Sequence, residues 1–476
     1  MRKNKRQMSL LDTYNDVCLA QEENKPEFLS LLEEHIDFWY LIPAEFCWAF
    51  NRRMGRPREY LLEGLLKFCL LQKILGVEED SRLITILKLS RELREYCGFD
   101  GVEGVPDGSK ITRFKQDFVV YIQKVFDNLV EITEPICREL DSRKSDYLIY
   151  DPTGIEAYVA ENNPKFLNAK LKQAKSISKN NPELNPYAIA YSQMPETAAA
   201  NPFVSNQYIN GHFCYAHKAG ILTNGLGIVR GISFFDDDFK RRHPEVVSKK
   251  TDNPDIDKEI ADSVSLKPVL TDFFETHPTF SYNTFIADSA FDSYDNFNML
   301  RDEFHFDRVA IPLNPRSSSN AHSDFDCNGT PVCPIDRTPF TFLGFSGGKN
   351  RSDRFKWVCH KSKHKGSSRV NTCDTPCTDS AYGRCVHTYP DKDFRFYPGI
   401  PRGTEHWDNL YRHRMLIERT IYLLKEPLGA ASRKIFSSRT AKADLLFAGI
   451  TQLIGVVLAQ AINKPHLYKS VRKLIA

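Results

Sequence analysis

The stretch Tyr147-Leu148-Ile149-Tyr150-Asp151 joins four apolar or aromatic residues to a single carboxylate. The stretch Thr284-Phe285-Ile286-Ala287-Asp288 has the same form further along the chain. Short apolar runs rich in aromatic and β-branched residues are typical of buried strands. We therefore predict two buried strands, each with an aspartate at its C-terminal end.

The segments around these two stretches predict the rest of a sheet. Alternating patterns flank the turn Thr223-Asn224-Gly225 and predict a hairpin. Helical patterns at 256–277 and 294–304 and a short strand at 308–313 follow. The order strand, hairpin, helix, strand, helix, strand predicts an α/β fold with a mixed sheet of ribonuclease H type. The polar residues 161–207, rich in Asn, Pro and Lys, predict a loop or a weakly structured insertion.

The 476 residues are long enough for about two to four domains. The pattern of residues 1–140 predicts a helical N-terminal domain. Two of its helices would lie at 58–75 and 80–89, and a third, capped by Ser109, would run to 140. Such helices either contact DNA or form a scaffold. We expect residues 141–313 to form the first part of the sheet-bearing core, 314–407 a cysteine-rich insertion, and 408–476 the C-terminal helices that complete the core, with a basic tail.

Charge is unevenly distributed along a chain whose formal net charge is only +3. Residues 411–476 hold 12 Lys or Arg against 3 Asp or Glu, and residues 162–181 hold 5 lysines and no acid. Local basic runs suit a polyanionic partner, although solvated helix faces and loops can look the same. Residues 443–462 are apolar but include Asp444, Gln452 and Gln460, which favours a buried helix over a membrane span. With no secretory signal visible, we expect a cytoplasmic, nucleoid-associated protein without membrane contact.

Half of the 12 cysteines lie in the insertion. In a chain without a visible signal peptide, this number of cysteines argues against a disulfide framework. Structural Zn²⁺ and free thiols both remain open, because the spacing matches no common zinc knuckle. The six candidate ligands are Cys327, Cys333, Cys359, Cys373, Cys377 and Cys385.

A four-residue pattern near the C-terminus indicates the chemistry. Tyr411, Arg414, Glu418 and Lys425 fall within about 60° of one another on a continuous α-helix. The carboxylate of such a face could hold a metal, and the two cations could hold phosphates. Together with Asp151 and Asp288, Glu418 would supply the hard oxygen ligands that Mg²⁺ prefers. Two such ions support phosphoryl transfer.

These residues give the chain a resemblance to bacterial insertion-sequence DDE transposases of the subgroup with the Tyr-Arg-Glu-Lys helix motif. Asp151-Pro-Thr-Gly154 resembles the first aspartate block, and Asp288-Ser-Ala-Phe291 resembles the second, with Ala290 in the place of a glycine. The N-terminal part resembles the helical domain that precedes the catalytic core in this family, through Gly55-Arg56-Pro57, Val105-Pro-Asp107 and Thr112-Arg113-Phe114.

The resemblance implies a role for each site residue. Asp151, Asp288 and Glu418 would bind two Mg²⁺ ions, with Mn²⁺ as a substitute, while Tyr411, Arg414 and Lys425 would contact DNA. The enzyme would cleave the ends of an insertion sequence and join their 3′-hydroxyls to target DNA.

The expected partners are the terminal inverted repeats and the target duplex, bound by a homodimer. The resemblance also implies that the insertion is β-rich. In some relatives an aromatic of this insertion stacks on an extruded base, and Trp357 could do so here. Two alternatives stay open: a catalytically silent, domesticated DNA-binding protein, and a metal-dependent nuclease of ribonuclease H fold.

Overall fold

The structure is a computed structural model that describes residues 26–51, 57–179, 183–209, 212–246, 260, 262–314, 324–348 and 351–469. Gly55 and Arg56 of the N-terminal pattern lie outside these residues. The chain forms two compact units. The first comprises Met1–Ile136, Leu424–Arg433 and Arg439–Ala476, and the second comprises Cys137–Leu423 and Lys434–Ser438.

The α-helices of the described residues vary from one turn to six or seven turns. Their bounds are α1 Glu27–His35, α2 Phe38–Leu41, α3 Ala44–Phe50, α4 Leu62–Ile74, α5 Asp80–Leu89, α6 Arg91–Cys97, α7 Gly108–Asp117, α8 Val119–Leu140, α9 Ser142–Ser145, α10 Pro164–Ser178, α11 Pro186–Ser192, α12 Asp237–Arg242, α13 Asp262–Thr276, α14 Tyr294–Asp302, α15 Glu405–Tyr411, α16 Arg414–Lys425 and α17 Ser438–Ala461.

The strands belong to the second unit. Their bounds are β1 Tyr147–Glu156, β2 Thr197–Ala198, β3 Asn201–Ile209, β4 His212–Asn224, β5 Val229–Phe234, β6 Thr284–Ile286, β7 Arg308–Ala310, β8 Thr341–Gly348, β9 Arg351–Val358, β10 Ser362–Lys365, β11 Ser368–Asn371 and β12 Cys385–Thr388.

The first unit is helical, as the sequence predicts for the N-terminal region. The predicted helix at 80–89 is confirmed as α5, and the one at 58–75 is α4, which begins at Leu62. The single helix predicted from Ser109 to 140 is wrong, because α7 and α8 are separate helices. Asp107, and not Ser109, caps α7: its carboxylate accepts hydrogen bonds from the Ser109 and Lys110 amides, each at 2.9 Å. The ring of Phe118, at the break, packs against Phe46.

A buried network of charges crosses the first unit. The Lys115 ammonium lies 2.9 Å from a carboxylate oxygen of Asp80 and 2.9 Å from one of Asp444. Lys73 approaches the same Asp444 oxygen at 3.3 Å. Although burial alone would raise the pKa of Asp444, Lys115 and Lys73 hold it well below its usual value. Four charges from α4, α5, α7 and α17 thereby compensate one another, so that the last long helix is tied to the N-terminal ones.

The apolar run near the C-terminus forms α17, as predicted. This helix is long and apolar enough to cross a membrane by length and composition. However, 89% of its apolar window is buried inside the protein, as in the core helix of a globular domain. By its contacts, most of α17 belongs to the same unit as the N-terminal helices. Only residues 408–423 and 434–438 of the predicted C-terminal segment 408–476 belong to the sheet-bearing unit.

One mixed sheet organises the second unit. Its strand order is β2-β3-β4-β1-β6-β7, and β5 pairs with the remaining length of β4. Strand β1 is antiparallel to β4 and parallel to β6, which is parallel to β7. The predicted hairpin is confirmed as β4–β5. Apolar side chains of β1, β6, β7, α13 and α14 form one core cluster on this sheet.

The predicted loop or weakly structured insertion at 161–207 is wrong, because this segment holds α10, α11 and most of β3. Its Asn and Pro residues are helix-start signals. The Asn163 side chain accepts a hydrogen bond from the Lys165 amide at 2.9 Å, and Pro164 occupies the first helical position. Asn185 and Pro186 begin α11 in the same way.

The insertion at 314–407 is β-rich, as expected. Strands β12, β9 and β8 form a three-stranded sheet, and β10 and β11 form a hairpin. Trp357 is at the centre of its apolar cluster, 2% exposed, and its indole N–H donates a hydrogen bond to Thr388 Oγ1 at 2.9 Å. The expectation that Trp357 stacks on an extruded base is therefore wrong, since a core ring offers no face to a base.

Candidate active site

Two neighbouring parallel strands position the aspartates. Tyr147 and Ile149 of β1 pair with Thr284 and Ile286 of β6. Residues two apart on a strand share a face, so continuing this register by two residues sets Asp151 beside Asp288 on one face. Asp151 lies inside β1 and not at its end, because pairing with β4 carries β1 on to Glu156. Asp288 follows β6 and caps a short 3₁₀ turn, accepting a hydrogen bond from the Ala290 amide at 2.8 Å.

Glu418 and Arg414 act on Asp151 through their charges. Burial raises the pKa of the Asp151 carboxyl to about 7. The Arg414 guanidinium opposes this shift, whereas the negative charges of Asp288 and Glu418 add to it. Asp151 and Asp288, which lie far apart in the chain, thus come under the influence of Arg414 and Glu418, which are neighbours on α16.

The four-residue pattern does not lie on one continuous helix, which corrects the helix-face prediction. Tyr411 ends α15, and Arg414 begins α16 after a two-residue turn. The His413 ring donates from Nδ1 to the carbonyl oxygens of Asn409 and Leu410, each at 3.1 Å. A continuous helix would use those carbonyls for the amides of residues 413 and 414. The side chain of His413 thus occupies both carbonyls at the break, and the His413 amide donates to the Leu410 carbonyl oxygen at 3.1 Å.

Tyr411 nevertheless reaches the site. Burial raises the pKa of its phenol, which Arg414 partly opposes through charge and a hydrogen bond, and Asp288 and Glu418 contribute to the rise. The phenol is therefore neutral at physiological pH and can donate a hydrogen bond. Arg414 lies 2.9 Å from a Glu418 carboxylate oxygen, one turn away on α16. Burial alone would lower its pKa, but the surrounding phenol and carboxylates raise it, so the guanidinium stays charged.

The helix that carries Glu418 is held against the sheet at two points. The Thr420 hydroxyl donates to the carbonyl oxygen of Gly227, in the turn between β4 and β5, at 2.8 Å. Gly227 has φ +78°, and a Cβ at this position would contact Thr420 and Leu416. At the other point the His413 ring meets Tyr147 of β1 edge to face, with centroids 5.2 Å apart. These contacts fix the position of α16 along β1 and its rotation about the helix axis.

Lys425 differs from the other three residues of the motif. Its side chain is 9% exposed, and by its contacts it belongs to the first unit. A side chain this buried is not displayed for phosphate contact in the way that Arg414 and Tyr411 are. Its predicted contact with DNA stays a prediction.

Asp262 is a site residue that the sequence reading missed. It begins α13, and its charge contributes to the raised pKa of Asp151. The Lys218 ammonium pairs with it and also donates to the Ile260 carbonyl oxygen at 2.7 Å. The signal for it was weak, because an aspartate at a helix start is most often a cap.

No three His, Cys, Asp or Glu side chains among the described residues stand close enough together to hold a metal ion as they are. In the insertion, Cys359 is electrostatically coupled to Cys333, Cys373 and Cys377. Burial, with these neighbouring thiols, raises the pKa of Cys359. Cys327 is exposed, and neither it nor Cys385 joins this group of four. Zinc binding stays a prediction, and these four thiols are now its candidate ligands.

Comparison with known proteins gives two findings. Among solved structures, the chain is similar to a piggyBac transposase in its cryo-EM synaptic complex with hairpin DNA, at 10% sequence identity and a TM-score of 0.37, covering 94% of this chain and 77% of that chain. No curated protein matches the chain. Residues 17–117 match the family described as Transposase domain (DUF772), which supports the expectation that the protein is a transposase.

Proposed function

We propose that the protein is a DNA transposase of the DDE type, which cleaves the ends of an insertion sequence and joins the 3′-hydroxyls to target DNA. The observation that carries the proposal is the parallel register that sets Asp151 beside Asp288, together with the pairing of Glu418 with Arg414, whose charges act on Asp151. The match of residues 17–117 to a transposase domain supports the same class.

The topology of the second unit supports a catalytic core of ribonuclease H type. Its elements follow the order strand, hairpin, helix, parallel strand, helix and parallel strand. These are β1, β4–β5, α13, β6, α14 and β7. This order sets the first aspartate on the central strand and the second just after its parallel neighbour. The helix that bears the glutamate comes after the insertion.

The donor set fits a divalent metal by its chemistry. Carboxylate oxygens are the ligands that Mg²⁺ prefers, and burial, together with the negative charges of Asp288 and Glu418, raises the pKa of Asp151. Asp151, Asp288 and Glu418 would hold the ions, Mg²⁺ or Mn²⁺, although as described they do not form a ready ligand group. When bound, such ions activate the attacking oxygen and stabilise the leaving oxygen of phosphoryl transfer.

The remaining site residues would position the DNA. Arg414 keeps its charge and can hold a phosphate beside the carboxylates, although it now pairs with Glu418. The neutral Tyr411 hydroxyl can donate to a phosphate oxygen at the same place. We further propose that the enzyme works as a homodimer in the cytoplasm, because two element ends must be joined.

An excision assay tests the proposal. A marker flanked by the DNA found next to this gene is supplied in cells with wild type, Glu418→Gln or Glu426→Gln, the last being an exposed glutamate just after α16. We expect excision with wild type and Glu426→Gln and none with Glu418→Gln. Binding of element ends without excision by any of the three would favour the domesticated DNA-binding protein. Purified protein that cuts DNA but cannot join pre-cut 3′-hydroxyl ends would favour the nuclease.

A further inference from the structure

Helix α10 has a cationic face to which neither the aspartates nor the helix motif assigns a role. Lys165, Lys172 and Lys179 follow one another at intervals of seven residues, within about 40° of one another and over about 21 Å. All three side chains are exposed. Ala174, the buried residue of α10, lies on the opposite side of the helix from Lys165. The face is therefore turned away from the contact that packs α10 onto its unit.

These lysines have no acidic partner in the part of the chain that the structure describes, and residues 162–179 contain no Asp or Glu. Three other lysines of the same unit each have an acidic partner. Lys144 lies 2.8 Å from Asp141, Lys267 lies 2.7 Å from Glu303, and Lys361 lies 2.8 Å from Asp336. A row of uncompensated cations repels itself and attracts a polyanion.

The topology places this face near the candidate site in the chain. Strand β1 carries Asp151 and runs on to Glu156, and the chain then enters α10 at Pro164. Helix α10 is thus reached from the C-terminal end of β1, and Asp151 lies in the middle of that strand.

We propose that the face formed by Lys165, Lys172 and Lys179 binds the sugar–phosphate backbone of duplex DNA. The inference rests on the proposed function and names a second DNA surface for it. A length of 21 Å spans about six phosphates of one strand. Lysine contacts of this kind position a duplex without reading its sequence.

The salt dependence of DNA binding tests the proposal. Wild type is compared with the triple variant Lys165→Gln, Lys172→Gln and Lys179→Gln on a duplex that contains an element end. The control is the triple variant Lys144→Gln, Lys267→Gln and Lys361→Gln, which removes the same charge from paired lysines. We expect the logarithmic salt slope to fall by about 2.7 in the first variant, at about 0.9 for each phosphate contact. The control should keep the wild-type slope.

Equal slopes in wild type and the first variant would overturn the inference, as would an equal loss in both triple variants. The single variants of the three lysines, each expected to lose about 0.9 of the slope, provide a second measurement should the triple variant not fold. Failure of the proposed function looks different: wild type would then neither cleave nor join DNA, whatever its salt slope.

Discussion

The Arg414 guanidinium and the Glu418 carboxylate lie 2.9 Å apart, one turn from each other on α16. The Glu418 side chain is 53% exposed, so the pair adds little to stability, about 0.3–0.5 kcal/mol. The same carboxylate acts on Asp151 through its charge. A change at Glu418 should therefore affect catalysis much more than folding.

We predict that Glu418→Gln lowers DNA cleavage by at least about a hundredfold, the scale on which loss of one electrostatic stabiliser acts. A neutral amide is a poor ligand for Mg²⁺. Cleavage rates on element-end DNA and melting temperatures would be measured together, with Glu426→Gln as the control. Normal cleavage by Glu418→Gln would contradict the three-carboxylate site, because the amide could not replace the ligand.

Lys425→Ala tests the predicted phosphate contact. If Lys425 binds a phosphate, the variant should bind DNA less tightly, with a salt slope reduced by about 0.9. The measurement is the affinity for an element-end duplex at several salt concentrations. Since the side chain is 9% exposed, a lower melting temperature with an unchanged slope is the result that would remove its DNA role.

The four coupled cysteines predict zinc binding. We expect about one zinc per chain in protein purified without chelator, as in a four-thiolate structural site. Cys359→Ser should lose the metal and Cys327→Ser should keep it, because Cys327 is exposed and outside the coupled group. Metal analysis of the two variants decides the question. Zinc-free wild type in which these thiols react freely would establish the alternative of free thiols.

The buried network of the first unit predicts a large stability effect. Asp444→Asn leaves Lys115 and Lys73 without one of their carboxylate partners, and removing one member of a buried pair costs about 3–5 kcal/mol. Glu95→Gln is the matched control, since its pair with Arg91 is more than half exposed on both sides. Denaturant midpoints would be compared. Equal midpoints for the two variants would show that the network does not stabilise the unit.

Asp127 predicts a pH effect on stability. Burial raises the pKa of its carboxyl to about 6. A raised pKa means that the folded state binds the proton more tightly, so the contribution to stability is complete below pH 3.8 and is lost as the pH rises through about 6. The loss is at most about 1.4 kcal/mol per pH unit. Asp127→Asn should flatten the stability profile between pH 4 and 6, whereas the exposed Asp117→Asn should not. Parallel profiles for wild type and Asp127→Asn would refute this assignment.

Local sequence patterns were sufficient for the elements that matter most to the site. The apolar runs before Asp151 and Asp288 predicted β1 and β6, because a short apolar run has few other ways to bury itself. The hairpin turn around Asn224 predicted β4–β5 for a similarly local reason. The segment 161–207 was misjudged because Asn and Pro begin helices as readily as they make loops, and only the following backbone decides which occurs.

The sequence by itself determined which residues could carry the chemistry, since carboxylates, a guanidinium and a phenol are fixed by residue type. Only the tertiary structure decided which of them meet. The parallel register of β1 with β6 sets Asp151 beside Asp288, and the contact of Thr420 with Gly227 holds α16 against the sheet. The tertiary structure also interrupts the predicted helix face and buries the side chain of Lys425. Such outcomes depend on packing between residues far apart in the chain, which no local pattern encodes.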